Sequence, residues 1–361
     1  MEGVSVRILY ALLIWLAASG IGNATGVAQP GGDNALRIHV DAARSGGAGE
    51  SGRAIEYGLR VALESLGNTV GGCPVELVLA DHRGSSLRSK RHLDRFLEDQ
   101  RGLAVFSGLH SPPILAHREF INTNGILLLD PWAAAGPITR SALRPNWIYR
   151  LSVDDSVAGE ALIGVAVDTQ QHSRAGLLLE QTGWGDSNLD TMRRALQQRG
   201  LEAVSLQRFR WGMGRARAAA IMANFLAAGV DAIFMVANVE EGAHLVSAMA
   251  DLPAHKRIPI FSHWGITGGQ FVELVGAETL NKVELKVLQT RFSFLSPNLS
   301  DYARERFNML TAIVPAIDNY RDLRAVPGFA HAHDLLLLLN EAAQGIDCTA
   351  PVTTLRSTIQ Q

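Results

Sequence analysis

GLLLEQTGWGDSNLDTMRRALQQRGLEAVSLQRF, from Gly176 to Phe209, holds a complete strand–helix–strand unit. Gly176–Glu180 is an unbroken apolar run closed by an acid. Residues 187–199 carry apolar side chains at helical spacing, and Val204–Phe209 is a second strand-like run. A helix between two such runs predicts a βαβ unit with parallel strands. Gly176–Glu180 lacks polar alternation, as expected where helices cover both faces of a sheet.

The same rhythm continues on either side. Downstream, a helix over 215–228 leads to a strand at Ala232–Val236, and a helix over 240–251 to a strand at Ile258–Phe261. Upstream lies a strand at Leu36–Val40. Ile55, Leu59, Ala62, Leu63 and Leu66 follow at helical spacing. Val75–Ala80 ends at Asp81, a charged helix covers about 85–100, Leu103–Phe106 leads into a helix from Ser111, and Ile126–Leu129 ends at Asp130-Pro131. After Trp147–Arg150 the alternation restarts with a helix over 156–169. One sheet of this length would be very wide, so the expected fold is α/β with two doubly wound, Rossmann-like lobes. Helical patterns at 300–313 and 328–343 follow. Leu335–Leu339 is apolar all round and predicts a deeply buried segment.

Composition narrows the function. The chain has 361 residues, 47% hydrophobic and 19% charged, with a formal net charge of -2. That is a globular chain without the basic footprint of a nucleic-acid binder. The basic stretch Arg83–Arg101 interleaves Asp94, Glu98 and Asp99, as a solvated helix face does. At the N-terminus Arg7 precedes an apolar run, Ile8–Ala18, then small residues. This reads as a signal peptide over 1–28, with cleavage after Ala24 or Ala28. No cysteine follows the run, so no lipid anchor is expected. Cys73 and Cys348 are compatible with one disulfide in an exported chain or with two free thiols.

Catalytic and cofactor patterns are missing. Ser45–Gly52 is glycine-rich between a strand and a helix, but lacks the Walker A and dinucleotide spacings. It suits a backbone that a ligand approaches closely. His331 and His333 point about 200° apart on a helix and do not share an ion. His110 beside Ser111 lacks an orienting acid, so a hydrolase using Ser111 or Asp186 is disfavoured. No cofactor or metal is expected. Ligands of open α/β sheets bind outside the carboxyl ends of the strands. Those ends collect Ser45–Ser51, Asp81, Gly108–Ser111, Asp130–Trp132, Trp184–Asp186, Asn238–Glu241 and His263–Trp264. Three of the six tryptophans stand there, at positions suited to a ligand face or a contact between lobes.

An ordered set of segments then resembles the type I periplasmic substrate-binding proteins of ABC importers, the branch typified by Leu/Ile/Val-binding proteins. The set is ALESLGNTVGGCPVELVLAD from Ala62, AVFSGLHSPPILA from Ala104, GILLLDP from Gly125, WIYRLSVDD from Trp147, the unit from Gly176, AGVDAIFMVANVEEGAHLVSAM from Ala228, PIFSHWGITGG from Pro259 and FAHAHDLLLLLNEA from Phe329. The resemblance spans about residues 35–350. It implies lobe 1 from 34–150 plus 290–361, lobe 2 from 151–289, and a periplasmic, monomeric, non-enzymatic protein. Such a protein closes on a small organic ligand and docks on a membrane permease. A sensory module that presents its ligand state to a receptor is the alternative. Implied ligand contacts are Ser111 for a carboxylate, Ser51, Trp184 and Asn238, with Trp132 and Trp264 on the walls. The family's ammonium-pairing acid falls where Trp264 stands, and its threonine where Ala134 stands, so an ordinary α-amino acid is not expected. An amino-acid-like molecule, an aromatic acid or an amide is. The resemblance also implies further crossing strands after the last helix, so either a truncated tail or a hinge of two strands instead of three is expected here.

Overall fold

The computed structural model describes residues 34–361, and the expected signal segment lies outside the described residues. The first sheet comprises β1 (Leu36–Ala42), β2 (Thr69–Val70), β3 (Cys73–Asp81), β4 (Gly102–Ser107), β5 (Leu128–Asp130) and β6 (Ile148–Arg150), in the order β2-β3-β1-β4-β5-β6. The second comprises β7 (Ala175–Glu180), β8 (Ser205–Phe209), β9 (Ala232–Val236), β10 (Ile260–Ser262) and β11 (Leu285–Val287), in the order β11-β10-β9-β7-β8. The described pairings are parallel except for β2 with β3, which turn back on each other through Gly71-Gly72. Both glycines take positive φ, which costs glycine little.

Helices connect the strands: α1 (Gly49–Ser65), α2 (Ser86–Glu98), α3 (Ser111–Thr123), α4 (Asp155–Gly164), α5 (Gly183–Gln197), α6 (Arg215–Ala227) and α7 (Val239–Ala250), then the short α8 (Phe271–Val275) and α9 (Ala277–Leu280). Side chains start several of them. Ser85 accepts from Arg88 N at 3.4 Å, Asp154 from Ser156 N at 2.8 Å and Thr182 from Gly185 N at 3.4 Å. Each satisfies a backbone donor that the first helical turn leaves open. After β11 the chain adds α10 (Asp301–Ile313), α11 (Val326–Ala342) and α12 (Val352–Gln360), and packs α11 and α10 on α1 and α12 against β4. A disulfide joins Cys73 to Cys348 with the Cα atoms 5.4 Å apart, tying β3 to the loop before α12.

The core of the first sheet's half joins Leu36, Ile38 and Val40 to Ile55, Leu59 and Ala62 of α1 and Leu335, Leu336 and Leu339 of α11. Each such side chain contributes roughly 1.5–3 kcal/mol on burial. Gly58 permits the close approach of α1 and α11, because a Cβ there would fall on the Phe329 carbonyl. The run Leu335–Leu339 differs from its expected all-round burial. Leu338 is 53% exposed, since only one side of α11 meets α1. β11 and α12 were not expected from the sequence. Among the described residues no helix is long and apolar enough to cross a membrane.

Candidate functional site

Loops leaving the carboxyl ends of β1, β3 and β4 meet loops leaving β8 and β9 around a cleft of about 310 Å³. That volume lies at the small end of ordinary ligand sites. The first sheet's side supplies Ser45–Ala48 ahead of α1, Arg83 with Gly84, and Leu109 with His110; the second supplies Trp211, Gly212 and Asn238–Glu241. Both walls follow from parallel topology, which sends every βα loop to the same edge.

Gly46 takes φ +72°, and no Cβ could stand on Gly47 without meeting the Glu240 carboxylate. This loop therefore brings bare backbone to the N-terminal end of a 17-residue helix, where a carbonyl or anion is favoured. Its shape is fixed by Asp81, which accepts from Arg44 N at 2.9 Å and Ser45 Oγ at 2.5 Å. Burial works to raise the Asp81 pKa, but these bonds and those from Arg83 outweigh it and hold it at about 2. Opposite stands Trp211, tilted over His110 with ring centroids 5.1 Å apart and resting beside Gly84. Burial pushes His110 down to about 3, so its ring is neutral at neutral pH, and its Nδ1 has no partner. His82, 6.0 Å away, is also lowered by burial.

Behind Trp211 lies Glu180, the last residue of β7 and fully buried. Its Oε2 accepts from Trp211 Nε1 at 2.9 Å and Asn238 Nδ2 at 3.0 Å, and its Oε1 from Thr182 Oγ1 at 2.5 Å. Burial raises its pKa to about 7, against the lowering effect of those bonds, with Glu241 and Asp155 adding to the rise. Glu241 lines the cleft and accepts from Gly212 N at 2.7 Å.

Of the six ligand contacts expected from the sequence, Asn238 lines this cleft. The other five are not among its lining residues. Ser51 is buried and its hydroxyl donates to the Gly268 carbonyl, joining the two sides. Ser111 is buried at the start of α3, where its Oγ accepts from Ala135 N at 3.2 Å. Trp184 donates to Asp155 Oδ1 at 3.1 Å and meets His263 edge-on. Trp132 is fully buried beneath Gly328, and Trp264 shares its apolar cluster and lies against His331. Trp264 thus packs elements of the second sheet's side onto the first. Asp130, at the end of β5, is driven up to about 7 by burial; Arg150 and the Trp132 and Ala133 N–H groups offset only part of that rise. His331 Nδ1 pairs with the Pro131 carbonyl at 2.9 Å and His333 with Asp334 at 2.8 Å. Among the described residues no group of three His, Cys, Asp or Glu is placed to hold a metal ion.

Trp211 and Glu180 were not among the strand-end residues of the sequence reading, whereas Glu240 lies within its Asn238–Glu241 stretch. The strand-end rule applied to Phe209 would have found Trp211, whose stretch RFRWGMG begins where β8 stops.

Solved structures share this architecture. A solute-binding protein of an ABC transporter from R. palustris, in complex with benzoate, has a TM-score of 0.74 at 16% identity, covering 90% of this chain and 84% of that one. LivJ from Streptococcus pneumoniae, a branched-chain amino acid transporter substrate-binding protein in complex with isoleucine, has a TM-score of 0.71 at 17% identity, with 90% and 87% covered. The leucine-binding protein LivK from Thermotoga maritima has a TM-score of 0.70 at 18% identity, with 90% and 87% covered. These likenesses establish the fold. No curated protein matches the sequence. The sequence itself matches the family described as periplasmic binding protein over residues 36–355. The chain therefore belongs to the periplasmic binding protein family, a family of binding proteins and not of enzymes.

Proposed function

We propose that this protein is the extracytoplasmic substrate-binding component of an ABC-type importer, exported to the periplasm, and that it takes a small organic ligand into the cleft by hinge closure. The carrying observation is the cleft itself, with bare backbone at a helix N-terminus on one wall and Trp211, Asn238 and Glu241 on the other. Lobe 1 comprises 34–150 plus 290–361, and lobe 2 comprises 151–289. Packing of α10 and α11 on α1 and the Cys73–Cys348 bridge support the return of the chain to lobe 1. A ligand that contacts both walls favours the closed form by its differential affinity, and the closed form then docks on the permease.

The ligand class is an amino-acid-like molecule, an aromatic acid or an amide. A carboxylate or carbonyl suits the Ser45–Ala48 backbone, and a flat apolar body suits the Trp211 ring. Benzoate, bound by a protein of the same fold, is an aromatic acid of that range. Thermal-shift screening with aromatic acids, amides and amino acids tests this. The right ligand at a hundredfold excess over Kd stabilises the protein by about 2.7 kcal/mol. A broad metabolite panel without a single shift would sink the reading.

A further inference from the structure

We propose that Glu180 is the positioning residue of the cleft, one buried carboxylate that fixes both the Trp211 indole and the Asn238 side-chain amide on the ligand-facing wall. This rests on the reading of that cleft as the ligand site. The placement comes from topology. β7 lies between β9 and β8, so the residue at its carboxyl end sits between the loops that follow both neighbours. Trp211 comes from one loop and Asn238 from the other, and both donate to the same oxygen, Oε2.

Packing does not explain the arrangement. Trp211 is 37% exposed, so burial alone does not set its ring, and Glu180 accepts its indole N–H. The carboxylate has no ion-pair partner among the described residues. Its charged surroundings are Asp155 of α4 and Glu241 of α7, both acids, while Arg208 of β8 reaches only its backbone carbonyl, at 3.1 Å, and bonds Asp186. A buried acid without a cation is a costly way to fill space, and an apolar residue would serve the fold better. Three donors aimed at it, two of them from cleft walls, give the acid a use. It holds the aromatic wall in one orientation before a ligand arrives, which lowers the ordering cost of binding.

The test needs no ligand. In 15N-labelled protein the Trp211 indole N–H resonance is assigned by its loss in Trp211→Phe. In the wild type that resonance, and the Asn238 side-chain amide pair, should shift with pH around a midpoint near 7. In Glu180→Gln both stay in place and lose the titration, because the amide oxygen still accepts while its NH2 turns to Thr182. In Glu180→Leu the indole resonance moves to the position of a free indole, and acrylamide quenching of Trp211 emission rises at least twofold. If Glu180→Leu does not fold, the wild type and Glu180→Gln decide alone. An indole resonance that keeps its wild-type position in Glu180→Leu, or its titration in Glu180→Gln, overturns the proposal. An intact indole result with no ligand found for the cleft would instead overturn the function proposed above.

Discussion

Replacing Glu180 by Gln should make the protein's stability less sensitive to pH, in a direction fixed by the burial of that acid. Its pKa is raised from 4.5 to about 7 in the folded chain, mainly by loss of water. Between those values the folded state holds more protons than the unfolded one, so stability falls as pH rises. The penalty is complete above pH 7 and absent below 4.5. A shift of about 2.5 units corresponds to roughly 3 kcal/mol. Gln has no such term. The stability of Glu180→Gln minus that of the wild type should therefore grow by about 3 kcal/mol from pH 4.5 to pH 8. Urea unfolding at half-unit pH steps measures it. Asp130, raised to about 7, and His110, lowered to about 3, titrate alike in both proteins and cancel in the difference. A difference that stays flat across this range would show that burial does not raise the Glu180 pKa.

Three further outcomes follow from packing. Reducing the Cys73–Cys348 bridge, which closes a separation of 275 residues, should destabilise the protein by about 2–5 kcal/mol, seen as a lower urea midpoint in reductant. Gly58→Ala should cost about 1–3 kcal/mol, because the added methyl meets the Phe329 carbonyl and forces α1 from α11; a thermal melt unchanged within error would refute that contact. Trp264→Glu should unfold the protein before it alters the cleft. It leaves a cavity and an unpaired acid at a site only 3% exposed, costing at least ~3 kcal/mol, with part recovered at acidic pH.

The alternation of apolar runs and helical spacings around Gly176–Phe209 is enough to read the two-sheet α/β plan, because parallel strands buried on both faces leave uninterrupted signals. β11 escaped that reading: Leu285-Lys286-Val287 is three residues long and sits on a sheet edge with Glu284 beside it, so its composition is that of a loop. α12, VTTLRSTIQ, escaped because its β-branched residues weaken a helical pattern that packing against β4 nevertheless stabilises. The strand-end rule located one wall of the cleft and Asn238. It did not distinguish a tryptophan that faces the cleft from one that packs beneath it. Trp132, Trp184 and Trp264 are covered by Gly328, Asp155 and the Trp132 cluster, contacts that join positions far apart in sequence. The role of Glu180 depends on β7 lying between β8 and β9, an order that the succession of elements along the chain leaves open.

Calorimetric titration of the wild type and of Trp211→Ala with the compound that gives the largest thermal shift tests the cleft most directly. Trp211→Ala removes one of the three donors to buried Glu180, so a lower unliganded melting temperature is expected, and the titration is run where both proteins are folded. The wild type should bind one equivalent, and the variant should lose at least tenfold in affinity, about 1.4 kcal/mol. Equal affinity in the two proteins would place the ligand elsewhere and contradict the account.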